Sequence, residues 1–69
     1  MGETQMTYRI TYEIADGSVE DFAECRTKLA AVRMARDCAN GSPLNAAFGV
    51  TRWFIEAGDT TMLTFPVAA

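Results

Sequence analysis

The chain contains no histidine and only two cysteines among its 69 residues. Losing histidine removes the commonest general base at neutral pH, and two thiols are too few to close a structural zinc site. Nucleophile, base and orienting group have no candidates, so no enzymatic activity and no cofactor or metal are expected. Glycine-rich phosphate loops are also missing. Gly17, Gly41, Gly49 and Gly58 are accounted for by turns, a helix stop and a strand position. No apolar run approaches the ~20 residues of a membrane helix, and Met1-Gly-Glu-Thr-Gln5 lacks the basic-then-apolar order of a signal peptide. A cationic excess is lacking as well. Six Lys and Arg stand against nine Asp and Glu, for a net charge of −3, which argues against nucleic acid as a generic partner. The composition points to the cytoplasm. There Cys25 and Cys38 are expected as half-buried thiols, with a single disulfide between them as the open alternative.

What the chain does contain is a run of strand and helix signals sufficient for one domain, residues 1–69, with residues 1–6 read as a loose N-terminal arm. A body this small sits near the lower limit for a self-sufficient core, so a partner subunit is a reasonable expectation. Tyr8-Arg-Ile-Thr-Tyr-Glu-Ile14 alternates apolar and polar residues with the period of a half-buried strand. Asp16-Gly17 then reads as a two-residue type I′ loop. That loop sets a register. Ile14 should face Val19, Ile10 Ala23 and Tyr8 Cys25, while Glu13 faces Glu20, Thr11 faces Phe22 and Arg9 faces Glu24. Tyr12 opposite Asp21 is the awkward pair.

The alanine-rich segment from Thr27 to Ala39 reads as the one helix, capped by Thr27 and stopped at Asn40-Gly41-Ser42-Pro43. An alternative βαββ order starts a longer helix at Ser18 and runs it over residues 18–39. On a helical wheel that helix carries Phe22, Cys25 and Leu29 about 150° away from Ala31, Val32, Ala35, Cys38 and Ala39, and one sheet cannot bury both stripes. After a loop over residues 42–47, Phe48–Ile55 and Thr61–Phe65 flank a type II′ turn at Gly58-Asp59. The pairs implied are Ile55 with Met62 and Trp53 with Thr64 on one face, and Phe54 with Leu63 and Arg52 with Phe65 on the other. The fold expected is α+β: a four-stranded antiparallel sheet with one helix packed on one face, in the order ββαββ.

Two surfaces stand out. Glu13, Asp16, Glu20, Asp21 and Glu24 follow one another with no base among them; Arg26, Lys28, Arg33 and Arg36 follow with no acid. The first group describes either a solvated hairpin or an acidic hairpin that docks on a basic groove in place of phosphates. Glu13 and Glu20, as expected cross-strand neighbours, read as a solvated pair. The second surface comes from geometry: one helix covers one face of a sheet whose last hairpin is apolar on both. Arg52, Trp53, Phe54, Leu63 and Phe65 therefore supply the residues of an interface, since monomers seldom expose large apolar patches.

Ile14-Ala-Asp-Gly-Ser18, the helix Leu29–Ala39, Gly41-Ser-Pro43 and the closing Met62-Leu-Thr-Phe-Pro66 together resemble the small anti-CRISPR proteins of phages and mobile elements. That resemblance, which is one of architecture and size, implies a protein-binding inhibitor in a bacterial host cell. Its partner would be a CRISPR effector complex whose DNA recognition or nuclease recruitment it blocks. Two other classes remain beside it: a small homodimeric structural or regulatory domain, and a nucleic-acid-binding module that uses the basic helix.

Overall fold

Two tight hairpins and one helical crossover build the fold seen in the computed structural model, which describes residues 7–67. The arm expected over residues 1–6 lies outside the described residues. In chain order the elements are β1 (Tyr8–Ile14), β2 (Val19–Cys25), α1 (Lys28–Gly41), α2 (Pro43–Phe48), β3 (Val50–Ala57) and β4 (Thr60–Pro66). The strands form one antiparallel sheet in the order β2-β1-β3-β4. The order ββαββ is therefore the one observed, and residues 19–25 form a strand rather than the start of a long helix. Hairpin loops of two and three residues cover nothing. Among the described residues only the connection from β2 to β3 passes over the sheet, so only one face carries a helix.

Thr27 caps α1 as its sequence position predicts, its hydroxyl accepting the Ala30 N–H at 3.2 Å. Ala31, Ala35 and Ala39, spaced one turn apart, are the buried stripe of the helix. With no side chain beyond Cβ they bring α1 close to the sheet, where Ile10, Val50, Trp53 and Ile55 complete the core. Alanine buries little area per residue, so most of the apolar burial comes from the sheet side of this contact.

Both hairpins depart from the expected register by one residue. In the first, the Ile14 N–H donates to the Ser18 carbonyl at 3.0 Å and the Gly17 N–H to the Ile14 carbonyl at 2.9 Å. Of the loop residues only Gly17 has positive φ, at 92°. A type I′ turn needs two such residues. A three-residue loop, Ala15-Asp16-Gly17, needs one, which is the usual pattern of a turn followed by a glycine in the left-handed region. The longer loop pairs Glu13 with Val19, Tyr12 with Glu20 and Thr11 with Asp21; Phe22 is the extra residue, and Ile10–Ala23, Arg9–Glu24 and Tyr8–Cys25 pair as expected. Glu13 and Glu20 thus lie on opposite faces and form no carboxylate pair.

In the second hairpin Gly58 has φ of 61° and Asp59 is not in the left-handed region, which fits the expected type II′ turn. Ala57–Thr60 and Glu56–Thr61 pair in the expected register. Met62 then bulges, and Leu63 pairs with Ile55, Thr64 with Phe54, Phe65 with Trp53 and Pro66 with Arg52. Side chains alternate along a strand, so this slip carries Leu63 and Phe65 to the helix side.

Residues 43–48 are helical, where the sequence reading has a loop over 42–47. Ser42 ends α1 through its N–H to the Cys38 carbonyl and starts α2 by accepting the Leu44 N–H; Pro43 occupies the first turn, and Gly49, with φ of 65°, closes the helix. Serine followed by proline is a helix-start signal that the same tetrapeptide's role as a stop obscures.

Candidate protein-binding surface

The face that α1 leaves open is not the apolar patch expected. The described register puts Arg9, Thr11 and Glu13 of β1 beside Glu56, Phe54 and Arg52 of β3. Arg9 pairs with Glu56 at 3.0 Å and Arg52 with Glu13 at 3.1 Å, one ion pair at each end of the central strands. Between them Phe54 is half-buried against its cross-strand neighbour Thr11. Of the five residues predicted for an interface, Arg52 and Phe54 are on this face. Trp53, Leu63 and Phe65 are on the other, where Trp53 is fully buried, Phe65 half-buried and Leu63 36% exposed. They do not form one surface. Strand alternation already separates Trp53 from Arg52 and Phe54, and the bulge at Met62 moves Leu63 and Phe65 to the side of Trp53.

Thr11 is 2% exposed and its hydroxyl has no hydrogen-bond partner. Leaving such a group unpaired costs about 1–3 kcal/mol. Valine fills nearly the same shape without the hydroxyl and suits a strand. Thr11→Val is expected to raise stability by about 1 kcal/mol on that ground, read as a higher denaturation midpoint at unchanged slope. A loss of stability would mean that the hydroxyl is bonded in solution.

The five predicted acidic residues separate into two kinds. Glu13 is half-buried and held by Arg52. Asp16 belongs to the turn: its carboxylate accepts the Ser18 N–H at 2.8 Å, and that hydrogen bond holds its pKa below the ordinary aspartate value. Glu20, Asp21 and Glu24 are different. All three are exposed on β2, an edge strand, and neither ion pair found among the described residues involves them. Asp21 and Glu24 share the open face with their partners Thr11 and Arg9, while Glu20 faces the helix side with Tyr12.

Phe22, in the middle of this acidic strand, has a part in the surface that sequence reasoning did not give it. As the bulge residue it is released from strict alternation. Its ring lies edge-on to Trp53 at 5.0 Å and near Tyr12 at 6.5 Å, yet the side chain is 40% exposed. Val19 at the start of the strand is also exposed. The edge is therefore acidic with an anchored aromatic at its centre. The awkward Tyr12–Asp21 pair was the one sequence signal that the register slips here.

The rest of the surface offers less. Arg26, Lys28, Arg33 and Arg36 are exposed at and along α1, with Leu29 and Met34 exposed among them. Cys25 and Cys38 are free and half-buried, so the alternative of a disulfide is not taken up. Burial pushes the Cys38 thiol above its ordinary pKa, with the charge of Asp37 adding to the shift. Among the described residues no helix is long and apolar enough to cross a membrane. Comparison with known proteins adds no relative: no family model matches the chain, and no curated protein or solved structure matches it significantly.

Proposed function

We propose that the protein is a non-enzymatic, protein-binding inhibitor of the anti-CRISPR kind, acting in the cytoplasm of a bacterial host. In this reading its acidic edge strand enters the cationic channel through which a CRISPR effector complex holds nucleic acid. DNA recognition or nuclease recruitment is then blocked. One observation carries the reading: Glu20, Asp21 and Glu24 are exposed on an edge strand and make no ion pair among the described residues, around the partly exposed ring of Phe22. From residue 20 to residue 24 the strand advances about 13 Å at roughly 3.3 Å per residue. Over that length one DNA strand carries about four phosphates. Three carboxylates on one sheet edge, Asp21 and Glu24 toward the open face and Glu20 toward the helix side, supply a comparable number of charges over that length, and Phe22 supplies the apolar anchor that interface cores favour. The free backbone groups of an edge strand add a further means of docking.

The test is interference in cells. Expression in bacteria carrying an active CRISPR system should raise the transformation efficiency of a targeted plasmid toward that of an untargeted one. The variant with Glu20→Lys, Asp21→Lys and Glu24→Lys should fail to do so, with at least about a tenfold loss of affinity for the effector complex, equivalent to about 1.4 kcal/mol. The neutral variant with Glu20→Gln, Asp21→Asn and Glu24→Gln should fall between them. Circular dichroism unchanged from the parent shows that the sheet is intact. No rise in transformation across strains representing each effector type overturns the reading, as does full activity of the lysine variant.

A further inference from the structure

The two edges of the sheet are chemically unlike. β2 carries three unpaired carboxylates, a common guard against strand-to-strand association. β4, at the opposite edge, has no charged residue from Thr60 to Pro66, and Thr60–Thr64 are all exposed. Met62 and Leu63 are more than a third exposed there. What guards β4 is the Met62 bulge on one side and Pro66 on the other, and these leave Leu63-Thr64-Phe65 as a regular, uncharged, strand-favouring stretch between them.

The geometry points to a second copy of this chain as the occupant of that edge. The two copies pair β4 to β4, antiparallel, about a two-fold axis at Thr64. This register is self-complementary. Thr64 of one copy meets Thr64 of the other on the open face, and Leu63 of each faces Phe65 of the other on the helix side. Both are favourable cross-strand pairs. The other pairings of the edges are disfavoured by charge and symmetry. β2 against β2 brings six carboxylates together, and β2 against β4 is a head-to-tail contact that does not close. The two-fold contact closes, makes one eight-stranded sheet with both α1 helices on the same face, and leaves the two acidic edges at its far ends. A short domain with a small core gains additional buried surface by this route. The inference is independent of what the acidic edge binds.

Sedimentation equilibrium of the full chain over a concentration series is the test. The unmodified protein should move toward twice the chain mass as concentration rises. Thr64→Lys, which sets two ammonium groups face to face at the axis, should hold the protein at the mass of one chain while its circular dichroism stays that of the parent. The variant with Glu20→Lys, Asp21→Lys and Glu24→Lys should still reach twice the mass. A single-chain mass throughout for the unmodified protein overturns the inference. So does association that survives Thr64→Lys, or association abolished by the β2 reversals. Failure here with intact interference activity, or the reverse, separates the dimer from the inhibitor.

Discussion

Trp53→Ala should lower the melting temperature by about 15–30 °C and leave much of the population unfolded at room temperature. Large aromatic truncations in cores cost about 3–5 kcal/mol. A chain of this length is expected to hold only about 3–10 kcal/mol in total, and each kcal/mol moves the midpoint of so small a domain by about 4–8 °C. The environment of Trp53 places it at the upper end. It is fully buried, its ring lies 4.9 Å from Tyr12 and 5.0 Å from Phe22, and its indole N–H donates to Asn45 Oδ1 at 2.9 Å. The same Asn45 amide donates through Nδ2 to the Cys38 carbonyl at 2.7 Å, near the end of α1. One indole therefore ties β3 to both helices. Trp53→Phe separates the contributions: it keeps a ring in the core but removes the donor to Asn45 Oδ1, a half-buried acceptor, a loss of about 1 kcal/mol for one hydrogen bond. Thermal denaturation followed by circular dichroism reads both variants. A fall of less than about 5 °C for Trp53→Ala, on the same scaling, would place the indole outside the core.

That a tryptophan is the hub of the core illustrates what a sequence of this kind reveals and what it conceals. The alternation of Tyr8–Ile14 and the alanine spacing of Ala31, Ala35 and Ala39 are direct records of burial, because side-chain direction follows from backbone period alone. Element order was legible for that reason. Register was not. Asp16-Gly17 is compatible with a two-residue loop and with a three-residue loop whose last position is Gly17, and the two differ by one residue from the turn as far as Phe22, where the bulge restores the expected pairing. Nothing local to Met62 marks it as a bulge. It is the gain from putting Leu63 and Phe65 on the helix side, beside Ile55 and Trp53, that selects the slipped pairing. The sheet resolves its own excess of apolar residues by bulging each edge strand once.

The candidate surface follows the same logic. The acidic run was visible in the linear order of charges, but which acids are free depends on one contact within the turn and one made far along the chain. Arg52 claims Glu13 and Ser18 claims Asp16, leaving Glu20, Asp21 and Glu24. Phe22 becomes part of that surface through the bulge. The apolar residues that sequence order grouped with Arg52 divide between two faces, and the large apolar side chains still exposed on that hairpin, Met62 and Leu63, lie along the β4 edge.

Ala35→Leu should destabilise the domain by about 2–3 kcal/mol even though it adds an apolar side chain to the core. Overpacking a filled site costs about 1–3 kcal/mol in displaced backbone and poor rotamers. Ala35 lies at the centre of the helix stripe and has no exposed surface. The helix is held near the sheet because that stripe ends at Cβ, and on the facing sheet Ile10, Trp53 and Ile55 are all fully buried and have no room to withdraw. A leucine at this position has to lift α1 as a body. Lifting α1 also strains the bond from Asn45 to Cys38 and, through it, the seat of Trp53. Arg36→Leu is the control, since the same side chain one position on points to solvent and surface substitutions of that kind stay within about 0.5 kcal/mol. Chemical denaturation of the two variants reads the difference: a lower midpoint for Ala35→Leu alone is expected, with an unchanged slope. Equal stability of the two would mean that the helix sits farther from the sheet than its alanine stripe requires.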